Sequence, residues 1–267
     1  MTDGAIGVFD SGIGGLTVYA EIRKRFPRRR ILYLGDTARV PYGIKSTHTI
    51  IRYSLENASF LMRRGVETIV VACNTSSATA LNTLEKQIPV PVIGVIRPGA
   101  EAAVRKTRSR RIAVIGTEAT VRSNAYLKAL RELDRGVKVF SKACPLFVPL
   151  VEEGWLDHEV TRRVAEIYLH DLRESRVDTV VLGCTHYPLL KRTIRSVLGG
   201  KDEVEIVDSA EAVAEEVCRK VPADNPAERQ GTTEFYVTDS ADRFRRVAEL
   251  FLGGLHGAVA EVDLLRD

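Results

Sequence analysis

The sequence predicts an α/β protein built on open, mostly parallel sheets in two similar halves. Three observations carry this. Short apolar, β-branched runs alternate with longer amphipathic stretches along almost the whole chain, the rhythm of parallel strands joined by helical crossovers. The strand-like runs are continuously apolar, so both faces of each sheet must be covered. Finally, IVVACNTSSATAL (69–81) resembles VVLGCTHYPLL (180–190): apolar strand, cysteine, a threonine shortly after, then a helix. That match is short, and by itself it leaves an internal duplication undecided.

Along the chain, AIGVFD (5–10) is the first strand and runs into Asp10-Ser-Gly-Ile-Gly-Gly-Leu, a glycine loop that opens a helix. ILYLG (31–35) ends at Asp36-Thr37, and Ser46–Arg64 is an amphipathic helix. TIVVAC (68–73) delivers Cys73-Asn74-Thr75 to another helix start, and PVIGVI (91–96) precedes a break at Arg97-Pro98-Gly99. RIAVIG (111–116) leads into a helix over Thr117–Leu133, followed by the strand VKVFS (137–141). A helix over Asp157–Glu174 then feeds TVVLGC (179–184), and VEIVD (204–208) ends at Asp208-Ser209. Helices over Ala210–Lys220 and Ala241–Leu252 enclose EFYVT (234–238), which reads with AVAEV (258–262) as an edge strand.

Composition narrows the function. Of 267 residues, 45% are apolar and 28% charged, the balance of a globular protein and not of a disordered chain or fibre. Aromatics at 6% leave few stacking platforms for single-stranded nucleic acid. A net charge of +4 suits anionic metabolites and is too small to argue for nucleic acid. The basic clusters Arg28-Arg29-Arg30 and Arg105 to Arg111 read as a solvated rim. The longest apolar runs are too short for a membrane span, and MTDGAIGVFD lacks the regions of a signal peptide. Four dispersed cysteines without a C-x-x-C pair complete the expectation of a reduced cytoplasmic protein.

Open parallel sheets bind ligands at the carboxyl ends of their strands. Four of these ends carry chemistry: Asp10-Ser11, Asp36-Thr37, Cys73-Asn74-Thr75 and Cys184-Thr185-His186. The glycine loop is an incomplete dinucleotide fingerprint, because Thr17 stands where a third small residue is needed, and no P-loop Lys-Ser/Thr follows. Its N–H groups suit a carboxylate as well as a phosphate. Cys184-x-His186 offers a metal two ligands but no second pair is visible. His48, His158, His170 and His256 read as surface or satisfied histidines, and Cys144 and Cys218 as packing thiols. Cys73 and Cys184 differ, each ending a strand beside a helix N-terminus, where a thiol pKa falls. A Cys-His hydrolase would leave Cys73 idle, a redox pair would more typically use C-x-x-C, and a binding protein would need neither thiol.

GVFDSGIGGLTV, YLGDTARVPYG-KS, VVACNTSSA, CPLFVPLVEEG and VLGCTHYPLL, in order over residues 7 to 190, resemble the signature segments of the bacterial glutamate racemases. Within the wider aspartate/glutamate racemase group, His186 after Cys184-Thr185 resembles the glutamate enzymes, since the aspartate enzymes typically carry Glu there. The resemblance implies two α/β domains, residues 1–97 plus 210–267 and 98–209, with the active site in the cleft between them. It implies cofactor-independent, metal-free racemisation by Cys73 and Cys184, assisted by Asp10 near Cys73 and by His186 and Glu152 near Cys184. Substrate contacts would fall on Asp10, Ser11, Pro41, Tyr42, Gly43, Asn74, Thr75, Thr185 and His186. For Ser11, Asn74, Thr75 and Thr185 the alternative is helix capping, and for Tyr42 loop packing. Glutamate as substrate, a role in peptidoglycan synthesis, and a homodimer without nucleic-acid or membrane partners complete what the resemblance implies.

Overall fold

The computed structural model describes residues 4–199, 204–224, 230–255 and 257–266. In chain order the elements are β1 (Ala5–Asp10), α1 (Leu16–Arg25), β2 (Ile31–Gly35), α2 (Thr47–Arg63), β3 (Val66–Val71), α3 (Asn74–Gln87), β4 (Val92–Gly94), α4 (Ile96–Lys106) and β5 (Arg111–Gly116). There follow α5 (Glu118–Ser123), α6 (Ala125–Leu133), β6 (Lys138–Ala143), α7 (Phe147–Glu152), α8 (Glu159–Glu174), β7 (Thr179–Gly183) and α9 (Lys191–Leu198). The remainder comprises β8 (Glu205–Asp208), α10 (Ser209–Lys220), β9 (Thr233–Val237), α11 (Ala241–Leu252) and β10 (Ala258–Glu261).

Two sheets result, one ordered β10-β9-β2-β1-β3-β4 and the other β6-β5-β7-β8, and every strand pair is parallel. The segment β2-β1-β3-β4 and the whole second sheet share one winding order, so the half-repeat read from the two cysteine segments is a repeat of topology. In each sheet the winding reverses beside its first strand, between β1 and β3 and between β5 and β7. A crevice opens at such a reversal, past the carboxyl ends of the strands. Cys73 follows β3 and Cys184 follows β7, so each thiol stands at the equivalent reversal of its own sheet.

Strands β1, β2 and β7 are buried on both faces, as their uninterrupted apolar sequences require, whereas the edge strands β6 and β10 stay partly exposed. One apolar cluster runs from Val8 and Tyr33 through Leu16, Ala100, Leu130 and Val213 to Val114 and Val181, joining the sheets through the helices between them. Phe9, Phe60 and Leu61 lie in a cluster on the far side of the first sheet, and Phe147, Leu169 and Leu182 in one on the far side of the second.

Several expectations need correction. Strand 234–238 is not an edge: β9 pairs with both β2 and β10, and of the two late strands it is β10 that takes an edge. Its half-exposed alternation arises because the cover on one face is thin, with Phe235 and Val237 buried. The helix expected over Thr117–Leu133 breaks at Asn124, which is left-handed with φ 56°, a conformation asparagine tolerates. Ser123 secures the break, donating to Thr120 O and accepting from Ala125 N. Arg97, Pro98 and Gly99 do not interrupt the chain but form the first turn of α4, where proline lacks no needed donor. Strand 91–96 accordingly shortens to Val92–Gly94. Arg29 is no rim residue; it is 4% exposed, donates to Pro222 O and pairs with Asp224. Cys218 is exposed, not packed. His158 caps α8, its Nδ1 accepting from Val160 N, while His256 lies outside the described residues.

Candidate active site

A cavity of about 370 Å³ lies between the sheets, of the size that holds a small ligand. It is lined by Ser11, Pro41, Tyr42, Gly43, Cys73, Asn74, Thr75, Glu152, Cys184, Thr185 and His186. Those are all the sequence-derived candidates except Asp10, which lies fully buried beneath the wall. Thr117, Glu118, Pro145, Val148 and Pro149 also line it and were missed. Thr117 was findable, because it follows β5 as Asp10-Ser11 follows β1. Glu118 and the apolar wall around α7 had no comparable signal.

The two thiols sit in different surroundings, each 5% exposed. Cys73 caps α3, its Sγ accepting from Ser76 N at 3.5 Å and lying 3.5 Å from Ser11 Oγ. Helix position alone predicts a lowered thiol pKa. Burial wins instead and, helped by the Asp10 charge, pushes Cys73 up to about 11. Cys184 is not at an α-helix N-terminus at all, because a short 3₁₀ turn (Tyr187–Leu190) intervenes before α9. Its neighbour is His186, with Nδ1 at 3.9 Å from Sγ. His186 Nε2 in turn meets Glu152 Oε1 at 3.0 Å, and Arg243 donates to Glu152 Oε2 at 2.9 Å. Cys144, also buried, is pushed up to about 12 by its burial, packs in the apolar core of the second sheet and donates to the Lys142 carbonyl at 3.8 Å.

Burial raises the Asp10 carboxyl, against the pull of His186 and the Gly12 and Gly15 amides. Its hydrogen bonds run to Gly12 N (3.0 Å) and Thr185 Oγ1 (3.4 Å), so it acts on Cys73 through charge while bonding to the Cys184 loop. None of Ser11, Asn74, Thr75 or Thr185 caps a helix. Asn74 instead accepts from Tyr126 and donates to Ser209, and Thr75 bonds Thr117 and Thr120, tying the halves together. Tyr42 is both packed on Tyr53 and bonded, its hydroxyl donating to Asp36 and accepting from Asn57.

The glycine loop now has a reason other than phosphate. A Cβ on Gly14 would lie 2.3 Å from Thr185 Oγ1 and 2.4 Å from His186 Nδ1, so only glycine lets this loop close against the Cys184 loop. Gly43 likewise leaves room for Thr117, which a Cβ would approach to 2.8 Å. Thr17 Oγ1 donates to Thr185 O at 3.1 Å and fastens the same contact.

Burial alone would lower the His186 pKa, but Cys184 and Glu152 outweigh it and raise it to about 10 from an ordinary 6.5. The folded state then binds this proton more tightly than the unfolded state. The resulting stability is complete below pH 6.5 and is lost as pH rises through about 10. The gap in melting temperature between the parent and His186→Gln is therefore expected to shrink over that window. A constant gap would refute the pairing.

Among the described residues, no three His, Cys, Asp or Glu side chains are grouped to hold a metal ion, and no helix is long and apolar enough to cross a membrane. The family model described as Asp/Glu/Hydantoin racemase matches residues 6–217. Glutamate racemase of Geobacter metallireducens is 54% identical over 263 residues, 97% of each chain. The crystal structure of a glutamate racemase isoform from Bacillus anthracis superposes with a TM-score of 0.92 at 41% identity, covering 99% of both chains. That of Francisella tularensis glutamate racemase, in complex with D-glutamate, gives 0.90 at 35% identity with the same coverage. Two sheets of one winding order, a thiol at the reversal of each and whole-length likeness place the chain together: it belongs to the Asp/Glu/hydantoin racemase family, as an isomerase of the glutamate racemase branch.

Proposed function

We propose that the protein interconverts L- and D-glutamate by proton transfer between two opposed thiols, Cys73 and Cys184, without a cofactor. The observation that carries the reading is the placement of both cysteines at equivalent strand ends on one cavity. Racemisation removes a proton from one face of Cα and returns one to the other, so a base and an acid must flank the carbon and exchange roles with direction. The Cα–H is a far weaker acid than a thiol, and a gap of even about ten pK units makes abstraction an uphill step of about 14 kcal/mol. Among the described residues, no Lys or Arg lines the cavity. Help for the developing enediolate charge then comes from the hydroxyls of Ser11, Thr75, Thr117 and Thr185 and from the N–H groups of Asn74 and Thr75 at the start of α3.

Asp10 serves the Cys73 side, where burial that disfavours the free thiolate also makes it the stronger base. His186 and Glu152 serve Cys184. His186 in place of Glu supports glutamate over aspartate. With this reading go the family's expectations: a reduced cytoplasmic setting, D-glutamate supplied to cell-wall peptidoglycan, and a homodimer. The domain limits proposed are 1–97 plus 210–267 and 98–209, which the return of β9 and β10 to the first sheet supports.

The test is isotope flow in heavy water. Product glutamate separated at low conversion is expected to carry solvent deuterium at Cα from its first appearance, while recovered substrate carries little. Retention of the original hydrogen in product, read by mass spectrometry from either enantiomer, would refute opposed bases.

A further inference from the structure

The hydrogen-bonded chain behind Cys184 does not end at Glu152. Helix α11 touches it twice. Arg243 holds Glu152 Oε2 while His186 holds Oε1, and Phe251 sets its ring edge-on to the His186 imidazole, with centroids 5.7 Å apart at 85°. Yet α11 is the crossover between β9 and β10 of the first sheet, whereas Cys184, His186 and Glu152 follow strands of the second. Arg243 also occupies an unfavourable place in its own helix. It lies in the first turn, where the exposed N–H groups repel a cation. That turn starts at Ser240, left-handed at φ 57° and without a side-chain cap bond. Helix stability does not account for an arginine there, and the carboxylate of Glu152 does.

We infer that Arg243 is a positioning residue for the Cys184 proton relay: by holding one oxygen of Glu152 it fixes the other on His186 Nε2 and so keeps Nδ1 facing the thiol. The inference rests on the two-thiol reading above. A carboxylate held on one side only is free to rotate, and the imidazole it orients turns with it. A charge-assisted bond to the second oxygen removes that freedom. It also keeps Glu152 ionised. Burial would raise this carboxyl, but His186 and Arg243 together bring it below its ordinary range.

The role predicts an uneven signature. L- and D-glutamate have equal free energy in water, so kcat/KM must fall by one factor in both directions. The isotope effects need not. With Arg243→Met, kcat/KM is expected to drop about tenfold, the scale of one charge-assisted hydrogen bond. The α-deuterium effect should rise for the enantiomer whose hydrogen Cys184 removes. For its mirror image the α-deuterium effect should fall and the solvent effect rise, because delivery from Cys184 has become limiting. Arg243→Lys should recover most of the rate and shift the isotope effects less, in the same sense. Kinetics and isotope effects like the parent's would overturn the inference, as would a loss that leaves the isotope effects of both directions unchanged. Should Arg243→Met melt early, Arg243→Lys carries the test alone, and absence of the uneven shift overturns the role. The parent enzyme in heavy water separates the two readings. If the parent retains substrate hydrogen in product, the two-thiol scheme fails; if it does not and Arg243→Met matches it, only the role of Arg243 fails.

Discussion

Alanine at Cys73 or at Cys184 is expected to lower racemisation about 10⁴-fold or more, the upper range for loss of a positioned acid or base. The double variant should be no slower than either single one, because in the proposed relay the two thiols act as one and their losses do not add. Each single variant keeps one working face. Cys73→Ala should still exchange the α-hydrogen of one enantiomer with solvent, slowly and without inversion, and Cys184→Ala that of the other. The remaining cysteines supply the controls. Cys144→Ala removes a buried thiol and should cost stability, on the order of 1 kcal/mol, but not activity. The exposed Cys218 should tolerate alanine on both counts. Coupled assays of both directions, with proton exchange followed by NMR, decide the matter. Near-normal racemisation by Cys184→Ala would mean that the second sheet's thiol is not a base.

The second large effect is expected at a residue with no side chain. Gly14→Ala should lower kcat about a hundredfold or more, because its Cβ would press 2.3–2.4 Å from Thr185 and His186. Displacements near an ångström at reacting groups cost that much. The overlap cannot be relieved cheaply: Thr185 is held by Asp10 and Thr17, and His186 by Glu152. Either the glycine loop withdraws, taking Ser11 from the cavity and Asp10 from Thr185, or the Cys184 loop does. Gly65→Ala is the informative contrast. Gly65 has φ +76° with nothing within 4 Å of a new Cβ, so its strain of about 1–2 kcal/mol should lower the melting temperature and leave kcat alone. A fully active Gly14→Ala would show that the two loops are not in the contact described.

Much of this was legible because it is local. A strand that must be covered on both faces advertises itself in four or five consecutive apolar residues, and a polar residue directly after it falls at a carboxyl end. That logic reached Asp10, Ser11, Cys73, Asn74, Thr75, Cys184, Thr185 and His186. It missed Thr117 only because the half-repeat was not followed through to β5. What stayed hidden is set by long-range packing. The interior place of β9 depends on β10 arriving beside it, Asn124 breaks a helix whose residues otherwise favour one, and Arg29 in a basic run is buried by segments nearly two hundred residues away. The thiol environments were illegible in a further sense. A helix start and a buried site pull the pKa of Cys73 in opposite directions, and sequence reports the first without the depth of the second.

The return of β9 to pair with β2, Ile31 beside Thr233, also bears on how the molecule is made. Synthesis proceeds from the amino end, so β1 to β4 emerge long before the strand that covers the outer side of β2. Until then β2 is an open, apolar edge on a nascent chain, the kind of surface that chaperones bind and that aggregates grow from. The second sheet uses strands from one continuous stretch and can close earlier, but the helix bearing Arg243 and Phe251 is synthesised after all of them. On the role inferred for Arg243, a working Cys184 side thus waits for a segment made after both thiols, and chains that stall before it should accumulate as inactive, sticky species and not as partly working enzyme.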